Sequence, residues 1–185
     1  MAFTESTILP LGTIAPNFTL PDTVSGKNIR LDEMASEKAT VLMFLCNHCP
    51  YVLHINAQIV AIAKDYQPKG VSFVGISSND AINYPADAPN LMTEQAKSVG
   101  YTFPYLYDET QAIAKIYDAA CTPDFYVFDG WMRLVYRGRI DGSRPKNDLP
   151  STGEDLRAAL DAVLEDKPNI EKQYPSGGCN IKWKP

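Results

Sequence analysis

Residues 40–45, Thr-Val-Leu-Met-Phe-Leu, are apolar at every position after the first, and the run stops at Cys46-Asn47-His48-Cys49-Pro50. Unbroken apolarity, rather than alternation, predicts a strand buried on both faces. Pro50 suits the first turn of a helix, where its missing N–H needs no partner. Residues 51–66 follow with Val52, Ile55, Ile59 and Ile62 at helical spacing, and 67–70 (Gln-Pro-Lys-Gly) end the pattern. Residues 71–77, Val-Ser-Phe-Val-Gly-Ile-Ser, form the next strand. The unit is a βαβ crossover, which is right-handed and needs a sheet covered on both sides. Chemistry in such a sheet lies beyond the carboxyl ends of its strands, where Cys46 and Cys49 fall.

The remaining segments extend this core. Residues 1–15 read as a partly ordered lead-in. Residues 15–22 and 29–31, joined by a turn at Ser25-Gly26-Lys27-Asn28, read as a marginal hairpin, with a short helix over 31–36. Residues 78–89 form a polar loop, and 91–99 a helix capped by Asn90. Residues 103–107 are extended, and Asp108 caps a helix running to about 117. Residues 125–128 and 132–138 make a hairpin across Asp129-Gly130. Ser151 or Thr152 caps a last helix over 153–165. The tail from 169 to 185 has no periodicity, yet it carries Tyr174, Cys179, Ile181 and Trp183, so it is expected to dock on the body. The whole predicts one domain of α/β class: a mixed central sheet, helices on both faces and an N-terminal β-hairpin.

Charge narrows the partners. The net charge of −5 disfavours nucleic acid or an anionic membrane as the main partner. No apolar run is long enough to span a bilayer, and the first residues lack a basic n-region and an apolar h-region. A reducing cytoplasm is therefore the expected location. Four cysteines, at 46, 49, 121 and 179, are too few and too unevenly spaced for a disulfide scaffold. No dinucleotide fingerprint, phosphate loop or HExxH motif is present, so no cofactor is assigned.

Cys49-Pro50-Tyr51-Val52 at a helix start, with Thr122-Pro123-Asp124-Phe125-Tyr126-Val127-Phe128 later, resembles the thioredoxin-like superfamily. Pro16, Phe18, Leu20, Asp22 and Gly26-Lys27 resemble the opening of its redoxin branch, the AhpC/TSA-type, peroxiredoxin-like proteins. Residues 46–52 and the tail motif Gly178-Cys179-Asn180-Ile181-Lys182-Trp183 resemble one subgroup of that branch. The resemblance implies a thioredoxin-like fold over about residues 10–165 and a thiol-dependent oxidoreductase with Cys49 as nucleophile. It also places Pro123 at the cis-proline that faces the attacking thiol, and Cys121 beside it.

The match has gaps. The thioredoxin Cys-x-x-Cys would put its second Cys at 52, where Val52 stands; Cys46-x-x-Cys49 is displaced upstream by three. Peroxiredoxins have a Thr three residues before the reactive Cys and a Pro seven before it; here these are Cys46 and Leu42. Their active-site Arg falls near Pro123, leaving Arg137 and Arg139 as the nearest substitutes. The substrate is then a disulfide or a peroxide. The resolving thiol is Cys46 or Cys121, with Cys46 favoured by its short loop and Cys179 a third choice if the tail folds back. An external dithiol such as a thioredoxin regenerates the enzyme. His48, next to Cys49, can lower its pKa or relay protons. His54 and Trp131 read as surface residues, and Tyr51 as packing over the site. Exposed aromatics in 81–107, or an unpaired edge strand, make a homodimer the candidate assembly.

Two other readings compete. In a metal-binding or thiol-sensing protein, Cys46, Cys49, His48 and Cys121 supply soft donors. A lone Cys-x-x-Cys gives only two ligands, however, and His48 lies between them, so no metal ligand is assigned. In a non-catalytic interaction module on the same fold, the Cys49 thiol keeps an ordinary pKa.

Overall fold

The computed structural model describes residues 3–168 and 172–185. The elements are, in order, β1 (Phe3–Glu5), β2 (Thr19–Pro21), β3 (Asn28–Arg30), α1 (Leu31–Met34), β4 (Ala39–Phe44), α2 (Pro50–Tyr66), β5 (Val71–Ser77) and α3 (Pro89–Val99). They continue with β6 (Tyr105–Tyr107), α4 (Ala112–Ile116), β7 (Cys121–Thr122), β8 (Asp124–Asp129), β9 (Leu134–Gly138), α5 (Glu154–Leu164) and β10 (Gly177–Asn180).

The main sheet has the order β6-β5-β4-β8-β9. β4 pairs parallel with β5 and antiparallel with β8, so the sheet is mixed and β4 is central. All six β4 residues are buried. Val41 and Met43 enter one core with Val52, Ile55, Ile59 and Ile62 of α2 and Leu156 and Leu160 of α5. Leu42 and Phe44 enter the other, with Phe18, Leu20, Leu31 and Tyr117. This two-sided packing is why the strand reads as an unbroken apolar run. Each aliphatic side chain so buried contributes roughly 1.5–3 kcal/mol.

β2 and β3 form the expected hairpin. Asp22 closes its turn by accepting from the Val24 and Ser25 amides, and it also accepts from the Tyr105 amide, tying the hairpin to β6. A bridge from Asp22 to Leu106 covers part of the β6 edge.

Several local expectations need correction. The N-terminal lead-in contains β1, and the tail contains β10; these pair antiparallel with each other, and β10 pairs with β7 on its other edge. The tail therefore docks as a strand of a small second sheet. Residues 169–171 lie outside the described residues. Its glycines make this close approach possible: a Cβ on Gly178 would stand 2.1 Å from the Thr122 carbonyl oxygen. α3 begins at Pro89 with Ala88 as its cap, not Asn90. α4 starts at Ala112, and Asp108 instead accepts from the Ala114 amide and the Ser78 hydroxyl from below the turn. The α5 cap is Gly153 at φ 72°, where glycine is favoured. Ser151 turns away to donate to Asp141. No helix among the described residues is long and apolar enough to cross a membrane.

Candidate active site

The site is assembled where β4 ends. Cys46 lies just past the strand, and Cys49 is the N-cap of α2 with extended backbone (φ −72°, ψ 120°) and Pro50 following. The Cys49 carbonyl accepts the first helical bond, from Leu53. The helix therefore aims its positive end and the Val52 N–H at the sulfur, which favours a thiolate. Both cysteines are buried.

Two thiols flank Cys49. Its Sγ lies 2.7 Å from Cys179 Sγ, carried on β10. On the other side stands Cys46, whose Sγ is 3.2 Å from the Thr122 hydroxyl. The Cys46 thiol, donating to the Cys49 sulfur, is the main influence that brings the Cys49 pKa down to about 5; burial opposes it, and the Cys179 thiol and the Val52 and Cys179 amides assist. The donors shift the opposite way. Cys46 is pushed well up by its bond to Cys49 and by burial. Cys179 is pushed up to about 12, by burial first and then by donation to Cys49. One contact favours the protonated form: the Cys49 thiol donates to the Thr122 carbonyl at 3.3 Å.

The Thr122–Pro123 bond is cis. That loop delivers the Thr122 carbonyl to Cys49 and the Thr122 hydroxyl to Cys46. Cys121, by contrast, points its thiol at the Pro123 and Ser176 carbonyls, 3.9 and 4.0 Å away. Burial and the nearby Asp124 carboxylate raise its pKa. The structure thus places Cys46 and the Thr122–Pro123 loop beside Cys49, turns Cys121 toward other carbonyls, and brings Cys179, the third candidate, up to Cys49.

Neither arginine substitute is presented to Cys49. Arg137 is buried, pairs with Asp124 at 3.1 Å, donates to the Asp118 carbonyl and stacks over Tyr126. Arg139 pairs with Asp155 at 2.6 Å and covers the Tyr174 ring. Arg139 and Arg144 do line a small cleft beside the cis-proline, together with Tyr51, Pro123, Ser176 and Gly177. Phe3 of β1 lies against Tyr51 of α2, with ring centroids 5.9 Å apart, and so close to Gly177 of β10 that a Cβ there would stand 2.7 Å from its ring. His54 lies on the exposed face of α2, as expected, and its Nε2 is 2.7 Å from the Ser143 hydroxyl.

His48 faces away from Cys49 toward Asp87, whose carboxylate lies 2.7 Å from Nδ1. Asp87 is the residue that sequence reasoning missed. It sits in the polar loop after β5, 39 residues from His48 in the chain, and nothing in its local pattern separates it from other loop acids. Cys46, His48 and Asp87 are the group that geometry allows to hold a metal among the described residues.

Comparison with known proteins fits this arrangement. The chain is 58% identical to an uncharacterized conserved protein from Geobacillus kaustophilus, whose crystal structure matches at a TM-score of 0.98 over 100% of this chain and 98% of that one. A hypothetical protein from Sinorhizobium meliloti 1021 is 45% identical, with a TM-score of 0.95 over 98% of each chain. Thiol-disulfide oxidoreductase ResA of Geobacillus thermodenitrificans is 26% identical over 161 residues, 84% of this chain and 83% of the relative. A family model matches residues 11–137, well over half of the chain, and by that match the protein belongs to the AhpC/TSA family.

Proposed function

We propose that Cys49 attacks a disulfide substrate and that Cys179, not Cys46, resolves the product. The protein is a thiol-dependent oxidoreductase, the activity of its family. The observation that carries the finer reading is the 2.7 Å approach of Cys179 Sγ to Cys49 Sγ at a helix N-terminus. Attack by the Cys49 thiolate on one substrate sulfur forms a mixed disulfide and expels the other sulfur as a thiolate, which takes up a proton. Once Cys49 is no longer an anion, Cys179 gives up its proton to the expelled substrate thiolate. The Cys179 thiolate attacks Cys49 Sγ, closing a Cys49–Cys179 disulfide and releasing the second substrate thiol. An external dithiol, such as a thioredoxin-like protein in a reducing cytoplasm, restores both thiols.

A disulfide substrate is favoured over a peroxide for a physical reason. Peroxide reduction needs donors aimed at the departing oxygen. Arg137 and Arg139 are held by Asp124 and Asp155, and the position of the peroxiredoxin Thr is Cys46. The relative named as a thiol-disulfide oxidoreductase points the same way.

The test is to oxidise the reduced protein with oxidised dithiothreitol and, separately, with hydrogen peroxide, then map disulfides by peptide mass. The expected product is a Cys49–Cys179 linkage that forms faster with the disulfide oxidant and is absent in C49S. A Cys46–Cys49 linkage in the wild type overturns the assignment of Cys179. Faster oxidation by peroxide overturns the choice of substrate.

A further inference from the structure

Away from the Cys49–Cys179 contact, a thiol, an imidazole and a carboxylate converge. Cys46 Sγ, a ring nitrogen of His48 and a carboxylate oxygen of Asp87 all lie within 4.8 Å of one another. They come from the end of β4, the turn before α2 and the loop after β5, so the fold, not a local motif, brings them together. Cys46 is buried, the Asp87 side chain is fully buried, and that of His48 is 21% exposed.

Asp87 is placed with care. Its Oδ1 accepts from the Asn47 amide at 2.7 Å and its Oδ2 from the Asn79 side chain at 2.8 Å. No lysine or arginine pairs with it among the described residues. A buried carboxylate held by neutral donors still favours a cation beside it. The buried Nδ1 of His48 comes within 2.7 Å of Oδ2, yet the approach is off the hydrogen-bond axis and leaves Nδ1 without a hydrogen-bond partner. The two atoms therefore converge on shared space next to Cys46 more than they bond to each other. The His48 ring is fixed from outside by stacking on Tyr84, with an interplanar angle of 5°.

We propose that Cys46, His48 and Asp87 bind one divalent cation of the zinc class, at a site separate from the Cys49–Cys179 pair. Sulfur, imidazole nitrogen and carboxylate oxygen are the zinc donor set, with bonds of about 2.0–2.3 Å. Tetrahedral ligands then stand about 3.5 Å apart, so the farthest donors close by on the order of 1 Å while Nδ1 and Oδ2 open by a similar amount. Asn47 and Asn79 become the outer partners that orient the carboxylate. Water takes the fourth position, on the partly exposed His48 side. Binding forms a metal–sulfur bond in place of the Cys46 S–H bond, so one proton leaves per metal bound and Cys46 no longer donates to Cys49 while the metal is held. The structure removes both objections that the sequence raised: His48 reaches Cys46, and Asp87 supplies the third ligand.

The test uses the full-length reduced protein and zinc chloride alone, by calorimetry in two buffers of different ionisation enthalpy, with cobalt(II) as a spectroscopic substitute. The expected result is one equivalent bound with release of one proton, and a sulfur-to-cobalt charge-transfer band. C46A abolishes the band, H48A and D87N each weaken binding at least tenfold, and C179S leaves both unchanged. Thermal melts check that each variant is folded; should D87N fail to fold, the partly exposed His48 carries the test. Absence of stoichiometric binding overturns the site. So does binding that survives C46A and H48A or is lost in C179S, because the metal then rests on Cys49 and Cys179.

Discussion

The two sides of Cys49 are built differently. Cys46 stands two residues past the end of β4, the central strand of the main sheet, and packs into one of its two cores. Cys179 stands on a four-residue strand between β1 and β7, outside that sheet. One neighbour is three residues away; the other is 130 residues away, on a strand held by pairing with β1 and β7 and by the Ser176 hydroxyl, which donates to the Gly138 carbonyl, with Cys179 and, just past the strand, Ile181 buried. The difference separates two tasks. A neighbour packed into that core suits the tuning of a pKa, because its hydrogen bond persists. A neighbour on a short tail strand outside the main sheet suits a thiol that must first let a substrate in, because Cys49 has no exposed surface.

The sharpest way to break this contrast is to remove the shared partner. C49S is expected to lower the rate of disulfide reduction at least about a thousandfold, since neither neighbour replaces a nucleophile at the helix N-terminus. C179S is expected to form the mixed disulfide with Cys49 and stall there, detectable by intact mass after a single turnover. C46A should still complete the Cys49–Cys179 disulfide. If C46A stalls and C179S does not, the two roles are exchanged.

The pH dependence sharpens the comparison further. Alkylation of Cys49 by iodoacetamide should titrate near pH 5, and C46A should move the midpoint up by more than C179S does, because the Cys46 bond is the larger influence. Stability must follow. Folding lowers the Cys49 pKa from an unfolded value near about 8.5. The stabilisation is therefore complete above that value and is lost as pH falls through about 5. Denaturant melts of reduced wild type and C49A should converge at acid pH and separate toward neutral pH.

A smaller effect is expected from G178V. Its added carbon meets the Thr122 carbonyl oxygen, a backbone atom that cannot yield. We expect a loss of about 1–3 kcal/mol, read as a lower urea midpoint, with faster alkylation of Cys49 as β10 is displaced. Unchanged alkylation would mean that the tail strand is not what covers the thiol. At the bottom of the scale, W131A is expected to change stability by less than about 0.5 kcal/mol and leave the redox rate alone, since Trp131 is 74% exposed and stacks only on Arg133.

The same contrast explains what the sequence revealed. β4, α2 and β5 were legible because each buries a full face or stripe, and burial writes a period into the residues. β8 and β9 were legible for that reason and for the Asp129-Gly130 turn between them. β1 and β10 were not: Phe-Thr-Glu and Gly-Gly-Cys-Asn have no alternation to read, and their strand geometry comes from partners at the far end of the chain. Docking of the tail could be inferred from its apolar residues, but not its register, which decides that Cys179 meets Cys49. Cys46, Cys49 and Pro123 were found because they lie in the motifs that carry the resemblance. Asp87 was hidden because a buried loop carboxylate looks, letter by letter, like an exposed one. Loop length favoured Cys46 as the resolving thiol, but sequence distance does not register that a tail returns Cys179 to within 2.7 Å of Cys49.

The antiparallel pairing of β1 with β10 also sets a mechanical order. A pull that separates residue 3 from residue 183 loads these pairs one after another, as a zipper opens, and not all together as in shear. Phe3↔Cys179 is loaded first, then Thr4↔Gly178, then Glu5↔Gly177. On the other side the load meets Ile181, whose amide donates to the Ala120 carbonyl, and Lys182, bonded to Asn79, Asp80 and Gln111, so tension would strip β1 from the edge of β10 before it moved the strand over Cys49.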